Sequence, residues 1–163
     1  MSVLVSKRRE SKHEALTFSS ELHNLLIDLM QRDFGVKDIN RVVRLRYAHG
    51  LDKKEDFEYY HQLMRQYKEQ INFLAVLLTS NLSAADVLYP RTMHEYEKRR
   101  DFQNAALVNC VQIRKDLQKI VERFDVDLNV YERHSKAIDR EIDLIKRWRQ
   151  RDNKIKTYIE QNG

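Results

Sequence analysis

The sequence predicts an all-α protein, an antiparallel up-and-down four-helix bundle with a short extra helix or loop between the first two helices. Three observations carry that expectation. Helix breakers are sparse: 163 residues hold three glycines and one proline, and Gly35, Gly50 and Pro90 fall where helices would be joined. Apolar residues recur at alternating steps of three and four, the spacing that keeps one side of a helix against a neighbour. Charged residues make up 34% of the chain and hydrophobic ones 42%. That balance suits long helices with solvated outer faces around a core, not a disordered chain. The length suits one domain over 1–163.

Residues 1–9 read as a basic N-terminal arm carrying Lys7, Arg8 and Arg9. A first helix runs over about 11–33, with a seam of Ala15, Phe18, Leu22, Leu25 and Leu29 broadened by Leu26 and Met30. Ser11 and Glu14 have the spacing of a capping box at its start. Gly35 breaks this helix. In 34–50, Val36, Ile39, Val43 and Tyr47 recur at helical spacing among Arg41, Arg44 and Arg46, which predicts a short helix ending at Gly50.

The second long helix opens on another capping pair, Asp52 and Glu55. Its seam is Phe57, Tyr60, Met64, Tyr67, Ile71, Leu74, Leu78, Asn81, Ala85 and Leu88. It would span roughly 55 Å. Tyr89-Pro90 stops it, because the residue before proline is biased away from helix. Thr92 with Glu95 caps the third helix, whose one face carries Tyr96, Arg99, Gln103, Ala106, Cys110, Ile113, Leu117, Ile120 and Phe124. The turn falls at 125–129, with Asp127 or Asn129 capping the last helix. That helix has the seam His134, Ile138, Glu141, Ile145, Trp148, Asp152 and Ile155, with Trp148 as its core anchor. Short connections between four long helices favour antiparallel neighbours.

Arg99, Gln103, Glu141 and Asp152 occupy seam positions where apolar residues are expected. Buried charges are costly unless paired, so they read as a structural polar network built on a bridge between Arg99 and a carboxylate. The other reading is that the seam ends at the bundle tips and these groups are wet.

The pattern excludes several chemistries. Three scattered glycines make neither a phosphate loop nor a dinucleotide fingerprint. Asp33-Phe34-Gly35 spells a kinase tripeptide with no other kinase feature beside it. Cys110, the one cysteine, rules out an intrachain disulfide and reads as a packed core thiol. Helical bundles build di-iron sites from Glu-x-x-His pairs, and Glu10–His13 and Glu58–His61 have that spacing. Glu58 and His61 fall one position off the seam, however, and Glu10 precedes the first helix. No catalytic residue, metal or other cofactor is therefore expected. The N-terminus has no secretory pattern and no apolar run is long enough for a membrane span, which predicts a cytoplasmic protein.

Thirty Lys and Arg residues against 25 Asp and Glu leave a net charge of +5, which favours an anionic partner such as nucleic acid. On the last helix Arg140, Leu144, Arg147, Arg151, Lys154 and Tyr158 form a second row beside the seam. Between Arg140 and Lys156 seven cations outnumber three anions. The candidate nucleic-acid-binding residues are Lys7, Arg8, Arg9, Arg41, Arg44, Arg46, Arg140, Lys146, Arg147, Arg149, Arg151 and Lys154. An oligomer would multiply them into one surface, and affinity for phosphates rises with the number of cations engaged. Contacts should be mostly to the backbone, as no aromatic-rich strand motif for reading bases is visible. The same run also reads as a solvated face whose cations complement the helix macrodipole.

The opening SVLVSKR, the Tyr89-Pro90 turn followed by Glu97-Lys98-Arg99-Arg100 and Gln103, and the stretch from Ile145 to Asp152 (IKRWRQRD) resemble a family of small four-helix proteins. These are the accessory proteins of diversity-generating retroelements, related in fold to the rRNA intervening-sequence proteins. The resemblance runs through the four helices in order. It implies a basic ring-shaped homopentamer that binds a reverse transcriptase together with RNA or an RNA–DNA hybrid and supports cDNA synthesis from template RNA. The expected function is accordingly a non-enzymatic, oligomeric nucleic-acid-binding accessory protein. The alternatives are a structural protein-interaction bundle without nucleic-acid binding and, behind it, a ferritin-like di-iron protein.

Overall fold

The computed structural model describes residues 14–37 and 53–163, with side chains from 58 onward in the second segment. The fold is all-α. Helix α1 spans Glu14–Gln31, α2 Lys53–Val87, α3 Met93–Arg123 and α4 Leu128–Asn162, with a 3-10 turn at Asp33–Gly35. No strand occurs among the described residues, which hold one isolated bridge between Val36 and Val126.

The four seams meet in one continuous hydrophobic core. Helix α1 buries Ala15, Phe18, Leu22, Leu26, Leu29 and Met30, and α2 buries Tyr60, Met64, Tyr67, Ile71, Leu74, Leu78 and Ala85 with Ala75 and Leu82 added. Leu25, Asn81, Leu88 and Ile155, expected in the seams, are only half-buried. The main contacts join α1 to α2, α2 to α3, α3 to α4, and α4 back to α1. Polar ties follow the same order. The Thr79 hydroxyl of α2 donates to Ser19 of α1 at 3.2 Å, Asn81 donates to Asn109 of α3 at 2.8 Å, and the His134 ring of α4 lies 3.1 Å from the Leu25 carbonyl of α1.

The joints are built from local chemistry. Thr92 and Glu95 form a reciprocal capping box: the Thr92 hydroxyl accepts from the Glu95 N–H, and the Glu95 carboxylate accepts from the Thr92 N–H. Those backbone donors, from Arg91 first and then Thr92, hold the Glu95 carboxyl below its usual range. Asp127 caps α4, accepting from the Asn129 N–H at 3.1 Å.

The described part of the expected 34–50 helix, residues 34–37, is not α-helical. At its described start, Asp33, Phe34 and Gly35 all take positive φ, at 49°, 55° and 73°, and Val36 pairs with Val126 instead of continuing a helical face. A bulky residue such as Phe rarely adopts a left-handed conformation, so its surroundings must impose it. They do so through several contacts. The Phe34 ring is fully buried, its carbonyl accepts from the Tyr131 hydroxyl at 2.7 Å, and the Gly35 carbonyl accepts from the Asp127 N–H at 3.0 Å. The kinase-like tripeptide is thus a clamp between the end of α1 and the α3–α4 turn. The rest of the expected 34–50 helix lies outside the described residues, as do the basic arm, the Ser11 and Asp52 caps, the Phe57 side chain and the Glu10–His13 pair.

Candidate nucleic-acid interface

The site grows from the C-terminal half of α4. In 146–156 (KRWRQRDNKIK) the seam residues Trp148 and Asp152 turn inward and are buried, while Ile155 is half-buried. Helical geometry then sends the cations to the other faces. Lys146, Arg147, Arg151, Lys154 and Lys156 are exposed and Arg149 is half-buried.

Asp152, the only acid in this segment, is taken up by the interior. Its carboxylate accepts from Arg99 Nε at 2.7 Å and Nη2 at 3.0 Å. A third donor, Gln103 Nε2, lies at 2.9 Å. Arg99 also donates to the Leu88 carbonyl at 2.9 Å and stands 5.1 Å from the centre of the Trp148 ring. A two-pronged guanidinium–carboxylate pair of this kind is directional and charge-assisted, and its burial makes loss of either partner costly. One position round the helices, Arg100 extends the cluster. It donates to Asn153 at 2.8 Å, to the Arg149 carbonyl at 3.0 Å and to the Tyr96 hydroxyl at 2.5 Å. The outer surface of 146–156 therefore carries cations with no acid of its own segment beside them.

Arg99, Gln103 and Asp152 come together, whereas Glu141 does not join them. Its side chain is 0% exposed and neither carboxylate oxygen has a hydrogen-bond partner. Burial pushes its pKa up to about 8, with Arg140 opposing the rise. Cys110 is also fully enclosed, and burial first, then the Glu141 charge, pushes the thiol up to about 12. Such a thiol is a packing group, not a nucleophile.

The other candidate cations divide by surroundings. Arg140 leans on α1, its guanidinium 4.5 Å from the Phe18 ring centre and 3.9 Å from Glu14. Arg149 is directed to α3, donating to Asn104 at 2.8 Å. Lys146, Arg147, Arg151 and Lys154 remain on the exposed faces. Lys7, Arg8, Arg9, Arg41, Arg44 and Arg46 lie outside the described residues. Buried Asn109 and Asp116 of α3 escaped the sequence reading. Their seven-residue separation was the available signal, on the flank of the apolar seam that faces α2.

Among the described residues no group of three or more His, Cys, Asp or Glu side chains could hold a metal ion, and Glu58 and His61 are both exposed. No helix among them is long and apolar enough to cross a membrane. No protein-family model matches the chain, and neither does any curated protein or solved structure.

Proposed function

We propose that this chain is a single-domain, antiparallel up-and-down four-helix bundle that binds nucleic acid electrostatically as an oligomer and carries no catalytic site. The antiparallel order is supported by the α3–α4 contacts, where rising numbers on one helix meet falling numbers on the other: Arg99 with Asp152, Asn104 with Arg149, and Arg114 with Asp139. The observation that carries the binding reading is the inward turn of Asp152. Its pairing with Arg99 leaves Lys146, Arg147, Arg151, Lys154 and Lys156 on the exposed faces of α4. Lys156 also lies 3.8 Å from Glu160. Such faces from several protomers would together neutralise phosphates and release the counterions of the nucleic acid. The role beside a retroelement reverse transcriptase, and the pentameric ring, are supported only by the resemblance of the opening SVLVSKR and of the Tyr89–Gln103 and Ile145–Asp152 stretches; a cytoplasmic location is supported by the sequence reading alone.

The test is RNA and DNA binding by the purified chain at two salt concentrations, with the mass of the particle set by light scattering. The expected result is an oligomer whose affinity falls steeply as salt rises. Replacing Arg147, Arg151 and Lys154 together by Glu should abolish binding while leaving helicity and melting unchanged. Binding by that variant at wild-type strength would sink the assignment of this face. Retention of the chain by a retroelement reverse transcriptase on a column tests the partner separately.

A further inference from the structure

The cationic row of α4 runs on, one turn past Lys154, to Tyr158, and there it meets the α2–α3 turn. Tyr89 and Tyr158 are among the most exposed aromatic residues described, at 72% and 68%. They line one cleft of about 420 Å³ together with Arg91, Lys154, Ile155 and Ile159. Pro90, also in the lining, is buried, and α2 ends just before it at Val87, which leaves Tyr89 off the helical path. No carboxylate lines the cleft. Three acids near it in sequence have partners elsewhere: Glu95 in the capping box, Asp152 with Arg99, and Glu160 with Lys156.

Aromatic faces, an apolar floor and cations in one open cleft match the chemistry of a nucleotide whose base is unstacked. A ring can stack on such a base while Lys and Arg hold the adjoining phosphates. A duplex hides its base faces, so this chemistry selects single strands. From Arg147 to Tyr158 the row extends about 16 Å along the helix axis, room for a few nucleotides. We propose that the cleft between Tyr89 and Tyr158 is a base-stacking subsite for single-stranded nucleic acid, fed by the Arg147–Arg151–Lys154 row. This rests on the nucleic-acid reading above and adds to it a contact with bases, where the sequence had pointed mostly to the backbone.

The test compares binding of the full chain to a short oligouridylate, an abasic strand of the same length and a duplex. The wild type should prefer the oligouridylate over the abasic strand by about tenfold or more, the range expected for one or two stacked bases. Tyr158→Ala and Tyr89→Ala should each remove much of that preference while leaving the salt dependence and the melting curve unchanged. Tyr158→Phe should keep it. Equal affinity of the wild type for base-bearing and abasic strands, or an unchanged preference in both alanine variants, overturns the stacking subsite and leaves the electrostatic reading standing. If neither strand binds at low salt, both readings fall together.

Discussion

Asp152 and Glu141 lie on the same seam of α4, eleven residues and about three turns apart, and their surroundings could hardly differ more. Asp152 receives two bonds from Arg99 and one from Gln103. Glu141 receives none. At Asp152 the carboxylate replaces its lost hydration with three N–H donors, two from the Arg99 guanidinium and one from the Gln103 amide. At Glu141 nothing replaces the water, so the proton is retained instead. One seam thus contains a locked ion pair near its end and an unmatched acid near its middle. A polar residue in a helical seam is therefore not by itself a stabilising device; its worth depends on what the facing helix supplies.

The largest effect should come from breaking the lock. Arg99→Met keeps the length of the side chain but strands Asp152 in the interior, and should lower unfolding free energy by about 3–5 kcal/mol in urea titrations. A loss below about 1 kcal/mol would show that Asp152 is effectively solvated.

A smaller effect of opposite sign is expected at Glu141. Its folded-state pKa of about 8 lies above the ordinary 4.5. The folded protein therefore keeps a proton that the unfolded chain releases, and stability falls as pH rises between those two values. Glu141→Gln, neutral in both states, should flatten that slope. It should be more stable than wild type at pH 8, by a few kcal/mol at the order-of-magnitude level, and nearly equal to it near pH 5. Parallel stability–pH curves for the two proteins would refute the unmatched carboxyl.

The smallest change is expected at Gln103. Its amide donates to Asp152 while its own carbonyl oxygen is buried without a partner. Gln103→Leu removes a bond and an orphan together, so the cost should stay within about 1 kcal/mol. A cost matching that of Arg99→Met would mean that the amide, not the guanidinium, holds the carboxylate.

What the sequence determined by itself was the local and periodic part. Residues such as Leu22, Ile71, Ile113 and Ile145 announce their burial through spacing, because a helix keeps the same face inward for its whole length. The Thr92–Glu95 box was legible for a similar reason: both partners belong to one turn. Arg99, Gln103, Glu141 and Asp152 were legible as polar residues in apolar seams, but not as a trio and an outsider. That division depends on how α3 and α4 are set against each other, which no single helix encodes. The positive φ values at 33–35 likewise answer to Tyr131 and Asp127, about a hundred residues away in the chain. The cleft between Tyr89 and Tyr158 exists only because the end of α4 passes the α2–α3 turn. Periodicity decides which side of a helix is buried; only the packing of one helix on another decides what each buried charge meets and which exposed rings share a cleft.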